Sequence, residues 1–265
     1  MYLYCHRFGH GPRTLLAFHG IGQDGASGYA SFAECLGDYY TLYAFDLPFH
    51  GQSGGMGPEG TFSNRNVLNK VLWQKYLQDF LRQHHIQRFD VVGFSLGGRL
   101  ALATLEAFPH LIDRAYLIAP DGVREHVLYS LATRFAPTRL LFRAIIKYPS
   151  PLLGTAEVLQ KAGVLPGSLL RFTRHMLATP ERRLLIYRSW LTFRGLRFAI
   201  PSLIQRLRPH GVALFLFTGQ YDRMLRTQDL AVLARQLPEA QSVTLPSGHT
   251  HLVEKVAEYL AGTLK

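Results

Sequence analysis

The chain has 265 residues, 48% of them hydrophobic, a mean hydropathy of +0.03 and a formal net charge of +11. That length suits one large α/β domain with a buried core, and no apolar run reaches the roughly 18–20 residues that would span a bilayer. Two cysteines, Cys5 and Cys35, make no disulfide framework and no metal-ligand spacing, and are read as buried thiols in a reducing cytosol.

The N-terminal residues read as a strand and lack the charged-then-apolar pattern of a secretory leader, so a cytoplasmic location is expected. Strands are predicted at 1–8 and 14–19, joined by a turn at Gly9-His10-Gly11-Pro12. His19-Gly20-Ile21-Gly22-Gln23-Asp24-Gly25 then forms a glycine-rich loop at the end of the second strand. A helix at 29–36 and a strand at 40–47 follow, the strand running into Asp46-Leu47-Pro48. The stretch 49–60 holds five glycines and is expected to be irregular. From 66 to 84 the residues Leu68, Val71, Leu72, Leu77, Phe80 and Leu81 recur at helical spacing.

Next comes Phe89-Asp90-Val91-Val92-Gly93-Phe94-Ser95-Leu96-Gly97-Gly98. A short buried strand, the pattern Gly93-x-Ser95-x-Gly97 and a helical run over 96–108 together make a nucleophile elbow. Small residues are required there because larger ones would collide with the neighbouring strand or helix, and the helix start offers free N–H groups where negative charge develops in acyl transfer. Gly51-Gln52-Ser53-Gly54-Gly55 fits the same pattern, but more glycine follows it instead of a helix, so Ser53 is read as a loop residue.

A strand at 114–119 ends in Pro120. From 121 to 209 the strand–helix alternation stops and the pattern is helical, with breaks expected at Pro137, Pro149–Pro151, Pro166, Pro180 and Pro201. Alternation resumes with a strand at 212–218, a helix at 227–236, a strand at 241–245 and a last helix at 251–260. Such alternation implies a mostly parallel sheet covered by helices on both faces. The core is therefore expected over 1–120 and 210–265, with 121–209 as a helical cap inserted above the sheet edge where ligands bind.

A serine hydroxyl needs a base, and the base needs an orienting group. Asp222 follows the strand at 212–218 and His249 follows the last strand, giving the order Ser95, Asp222, His249. Asp121 competes with Asp222, and His251 with His249. Asp121 enters the cap segment and His251 begins the final helix, so Asp222 and His249 are preferred.

Taken together, His19-Gly20 with its loop, Asp46-Leu47-Pro48-Phe49-His50-Gly51-Gln52-Ser53, the elbow, Gly219-Gln220-Tyr221-Asp222 and Gly248-His249 resemble the α/β-hydrolase-fold proteins with a helical cap. The resemblance covers nearly the whole chain. It implies a mostly parallel eight-stranded sheet, with one edge strand open to omission, and an oxyanion hole from the backbone N–H groups of Ile21 and Leu96. One departure is Phe49, where such proteins often carry glycine. His19 is expected to shape the oxyanion loop beside the substrate. The stretch Ser95-Leu96-Gly97-Gly98-Arg99 is also similar to the menaquinone-pathway synthase of succinyl-hydroxycyclohexadiene carboxylate, whose matching arginine holds a substrate carboxylate. That similarity makes Arg99 a candidate substrate-binding residue.

The charge is localised. Residues 121–208 carry fifteen Lys/Arg against four Asp/Glu, and the rest of the chain balances to zero. Three readings of these basic residues, interleaved with apolar ones and Trp190, stay open: a solvated helix face, attraction of an anionic substrate, or contact with anionic lipid. Trp190 is a candidate contact for an apolar acyl group. No metal-ligand spacing, phosphate-binding glycine loop or nucleic-acid motif occurs, so no cofactor and no nucleic-acid partner are expected. The expected function is a serine hydrolase acting on a small ester, thioester or anionic carbonyl substrate. A lyase using the same triad and a non-catalytic binding protein are the alternatives.

Overall fold

In the central strands, adjacent residues feed two different cores. The computed structural model describes residues 2–55, 67–125, 127–165, 167–238 and 241–264, so Asn66, Pro166 and the glycine-rich stretch beyond 55 lie outside the described residues. In strand β2 (Arg13–Phe18), Leu16 and Phe18 join one apolar cluster while Leu15 and Ala17 join another. In β4 (Phe89–Phe94), Phe89 and Val91 join the first cluster, and Val92 and Phe94 the second. Side chains alternate across a sheet, so a strand covered on both sides reads as continuously apolar.

With β1 (Cys5–Phe8), β3 (Tyr40–Phe45), β5 (Ile112–Ile118), β6 (Ala213–Gly219) and β7 (Ser242–Leu245), seven strands form one sheet in the order β1-β3-β2-β4-β5-β6-β7. Only β1 runs antiparallel to its neighbour. The described residues thus match the smaller form of the expected eight-stranded sheet. One face is covered by α3 (Lys70–Gln83) and α4 (Gly97–Ala107), the other by α2 (Ala30–Leu36), which follows the single turn α1 (Gly25–Gly28), and by α12 (Leu252–Thr263). Fully burying each leucine or phenylalanine of these cores contributes about 1.5–3 kcal/mol. Trp73 of α3 adds direction, its buried indole N–H donating to Thr104 Oγ1 at 3.0 Å.

The N-terminal edge of the sheet is closed by a polar network. Asp90, 1% exposed, accepts from Tyr40 Oη at 2.6 Å, from Arg13 at 3.1 Å and from the Arg114 N–H at 2.9 Å. A buried carboxylate is tolerable only with this many donors. The opposite edge is left for the loops that carry the candidate chemistry.

Between β5 and β6 lie α5 (Val127–Arg134), α6 (Ala136–Lys147), α7 (Ser150–Lys161), α8 (Gly167–Met176), α9 (Pro180–Phe193) and α10 (Ile200–Leu207). The breaks expected at Pro137, Pro149–Pro151, Pro180 and Pro201 fall between helices, with α6, α7, α9 and α10 each carrying proline in the first positions. Proline lacks an N–H that the first turn could not use anyway. The expected cap also divides. Phe142, Ile146, Leu177, Ile186, Tyr187 and Leu191 form the insertion's own cluster, whereas Phe193, Leu196 and the apolar residues of α10 join the main core. Late in the chain, the helix expected at 227–236 is a 3-10 turn (Thr227–Leu230) followed by a short α11 (Ala231–Ala234).

Candidate active site

Ser95 occupies the turn between β4 and α4 with φ +50°, a left-handed conformation rare for residues with a side chain. Its neighbours explain how the turn is held. The Ser95 N–H donates to the Ile118 carbonyl at 3.0 Å, and its carbonyl accepts from the Gly98 and Asp121 N–H groups at 2.9 and 2.8 Å. A Cβ at Gly93 would lie 2.6 Å from that of Ala101, and one at Gly97 would run into the Phe18 carbonyl. The glycines therefore let helix, turn and two strands approach to backbone contact.

Asp222 follows β6 and His249 follows β7, so both stand at the sheet edge that carries Ser95. His249 Nδ1 lies 2.6 Å from Asp222 Oδ2, and its Nε2 lies 3.1 Å from Ser95 Oγ. A carboxylate only accepts, so Nδ1 carries the proton and Nε2 is left to accept from the serine hydroxyl. The other Asp222 oxygen accepts from the N–H groups of Met224 and Leu225 at 2.8 and 3.1 Å, which orients the carboxylate. Asp222 is 5% exposed and Ser95 8% exposed, enough to strengthen the hydrogen bonds while leaving the hydroxyl reachable. The competing residues are engaged elsewhere. Asp121 pairs with Arg99 at 2.7 Å, and the exposed His251 pairs with Glu254 at 3.1 Å.

His19 is fully buried and both ring nitrogens are used: Nδ1 donates to the Gly20 carbonyl at 2.6 Å, and Nε2 accepts from the Leu47 N–H at 3.0 Å. Burial, reinforced by His50, pushes its pKa down to about 3. The ring is a neutral brace for the loop. Ile21 in that loop packs against both the main core and the insertion's cluster, which brings the insertion over the elbow side of the sheet. Leu96 stands at the N-cap of α4, where first-turn N–H groups lack helical partners.

Two further residues shape the site and were not singled out from sequence. Gln23 Oε1 accepts from the Gly20 N–H at 3.0 Å, which fixes the backbone just before Ile21. Phe94 lies with its ring 4.9 Å from that of His249, and a Cβ at Gly20 would come within 2.9 Å of it. Its place in the elbow pattern, directly before the serine, was the available signal.

Arg99 is 1% exposed. Its Nε and Nη2 donate to Asp121 at 2.7 and 3.1 Å, Nη1 donates to the Leu196 carbonyl at 2.9 Å, and the guanidinium stacks 4.4 Å from the Tyr129 ring centre. Burial pulls its pKa down, but Asp121 and Tyr129 outweigh that and hold it above the usual arginine value. A cavity of about 360 Å³ beside the pair is lined by Arg99, Glu125, Arg197 and Phe198 among others, and Ser95 is not part of its wall. Trp190 stacks on Phe142 at 5.3 Å and lies against Tyr129, within the aromatic part of the insertion.

Asp46 ties the neighbouring loops together. Its carboxylate accepts from the Gly25 and Gln52 N–H groups, both at 2.7 Å, and lies 3.0 Å from His6 Nε2. Its carbonyl accepts from Ser53 Oγ at 2.7 Å, and Ser53 accepts in turn from the Tyr4 N–H at 2.8 Å. His6, Asp24 and Asp46 bring ligand atoms within 4.8 Å of one another. The Asp46 oxygens are already committed to backbone donors, and Asp24 caps Ser27 at 2.8 Å, so this group fits a structural role better than a metal centre. Phe49, the departure from glycine, has φ +69° and lies under the Arg188 guanidinium of α9 at 5.7 Å.

The pattern of the family described as alpha/beta hydrolase fold matches residues 13–256. An uncharacterized protein of Mycobacterium tuberculosis is 32% identical over 165 residues, covering 62% of this chain and 44% of that protein. The chain thus spans under half the length of such curated relatives. A pimeloyl-[acyl-carrier protein] methyl ester esterase of Edwardsiella ictaluri is 27% identical over 77% of this chain and 81% of its own length. Among solved structures, a probable hydrolytic enzyme of Pseudomonas aeruginosa PAO1 superposes with a TM-score of 0.67 at 18% identity, covering 99% of this chain and 88% of that one. An esterase of Thermogutta terrifontis gives a TM-score of 0.66 at 16% identity over 99% and 91% of the two chains. These structural likenesses speak to the fold alone.

Proposed function

The chain belongs to the α/β-hydrolase fold family, and on that premise we propose that it cleaves a carboxylic ester or thioester by serine nucleophilic catalysis. The observation that carries the reading is His249, held between Asp222 at 2.6 Å and Ser95 at 3.1 Å. Ser95 Oγ attacks the carbonyl carbon and His249 Nε2 takes the hydroxyl proton. Asp222 steadies the resulting imidazolium. The carbonyl oxygen becomes an oxyanion facing the N–H groups of Ile21 and Leu96, a kind of contact worth about 3 kcal/mol per donor. Collapse expels the alcohol or thiol, protonated by His249, and leaves an acyl-Ser95 ester. Water attacks that ester with His249 again as base, releasing the acid and restoring the serine. The esterase among the relatives agrees with the substrate class.

A fluorophosphonate tests this directly. The native chain is expected to gain one adduct mass on Ser95, and Ser95→Ala to lose both the adduct and at least about 10⁴-fold of its ester turnover. A native chain that takes no label and turns over no p-nitrophenyl ester of any acyl length overturns the reading.

A further inference from the structure

The helices between β5 and β6 carry more apolar surface than they bury. Eleven of the fifteen large apolar side chains exposed among the described residues fall between Val127 and Leu184. Helix α6 is apolar on two opposite faces. Phe142 and Ile146 point into the insertion's cluster. On the other side Leu140, Leu141, Ala144 and Tyr148 recur at helical spacing, and Leu140, Leu141 and Tyr148 are each at least 60% exposed. None of the twelve residues of α7 is buried, although it includes Leu152, Val158 and Leu159. A helix on a water-facing surface ordinarily turns its polar side outward, so these two present the wrong face to water.

The charge around the stripes has one sign. Between residues 127 and 184 there are nine Lys/Arg against two Glu. Arg143 and Lys147 are exposed beside the α6 stripe, and Lys161 ends α7. Glu157, the acidic residue on α7, pairs with Arg174 at 2.6 Å. Exposed leucines flanked by arginine and lysine suit an interface that is apolar within and anionic at its rim. A second copy seated symmetrically on this face would set like charges against each other, and nucleic acid offers nothing for the leucines.

We propose that the outer faces of α6 and α7 dock on an anionic lipid bilayer, with the helices in the plane of the surface. Leu140, Leu141 and Val158 enter the acyl region, and Arg143, Lys147 and Lys161 meet headgroup phosphates. This gives the insertion a role separate from ester cleavage, and the two readings fail independently because vesicle binding is measured with no ester turned over.

The test is co-sedimentation of the full chain with vesicles of phosphatidylcholine alone and of phosphatidylcholine mixed with phosphatidylglycerol. Partition to the mixed vesicles is expected to exceed that to phosphatidylcholine by at least about tenfold and to weaken with added salt. The triple variant Leu140→Glu, Leu141→Glu, Val158→Glu should lose at least about tenfold in partition, and Arg143→Gln with Lys147→Gln a similar factor. All five positions are exposed, so both variants should keep the thermal midpoint of the unaltered chain. The proposal is overturned if the native chain shows no preference for anionic vesicles, or if the triple variant binds as the native chain does. It is equally overturned if ultracentrifugation finds a dimer that the triple variant disperses, or if binding to single-stranded RNA, lost in that variant, replaces binding to vesicles.

Discussion

His19 and His50 lie with ring centres 5.1 Å apart, both buried and both held neutral. Burial pushes the pKa of His50 down to about 4, and burial with His50 as neighbour takes His19 to about 3. The unfolded chain binds protons on these rings below about pH 6.5, whereas the folded chain refuses them. Their contribution to stability is therefore complete above pH 6.5 and is lost as the pH falls toward the folded values. At pH 4 the loss is on the order of 3 kcal/mol for each ring. Urea midpoints measured from pH 7 to 4 should fall accordingly, and His50→Gln should make that fall shallower. The placement of single residues was unevenly legible. Ser95, Asp222 and His249 were readable because each follows a strand within a recognisable local pattern. Gln23 and Phe94 were not, because what they do depends on how the backbone at Gly20 is folded, against Gln23 of its own loop and Phe94 of another strand.

At the scale of elements, α4 shows two preferences in conflict. Glycine in a helix costs about 1 kcal/mol relative to alanine, yet Gly97 and Gly98 open this helix. A methyl group at Gly97 would meet the Phe18 carbonyl, and one at Gly98 would lie 2.6 Å from Pro120 Cα. Backbone cannot swing aside as a side chain does, so overpacking outweighs propensity. Gly97→Ala is expected to destabilise by about 2–3 kcal/mol. Gly154→Ala in α7, with no atom within 4 Å of the added carbon, should stabilise by about 0.5–1 kcal/mol. Guanidinium midpoints of the two variants check both signs. The five inner strands were legible because doubly buried strands read as short apolar runs between glycine and proline. The proline-rich stretch was less so: a proline ends one helix or begins the next, and only the positions of α6, α7, α9 and α10 show that it begins them here.

Across the whole molecule, Arg99 joins the insertion to the sheet. It leaves the elbow helix, meets Asp121 just past β5 and reaches the Leu196 carbonyl beyond α9. Asp121 is partly exposed and keeps the Gly122 N–H as a donor, so Arg99→Met is expected to cost about 1.5–3 kcal/mol of stability, the worth of the charged hydrogen bonds it loses. Limited proteolysis should then cut between 125 and 200 well before the remainder. Sequence could not show this link, because Asp121 comes alongside Arg99 only once β5 has paired with β4. For the same reason α10 looked like part of the cap: its apolar face is plain in sequence, but the surface that face covers is not. The Asp46 carboxylate bears on a different question, which parts of such a surface can be altered independently. Gly25, Gln52 and His6 all lean on one side chain, Ser53 leans on the carbonyl of the same residue, and Tyr4 leans on Ser53. Three segments around the site are thus held as a unit, since a change in one disturbs the anchorage of the others. The insertion has its own apolar cluster and little share in that anchorage. Substitutions in the helices of the insertion therefore leave that anchorage intact, while a substitution in any one of the sheet-edge loops strains all three.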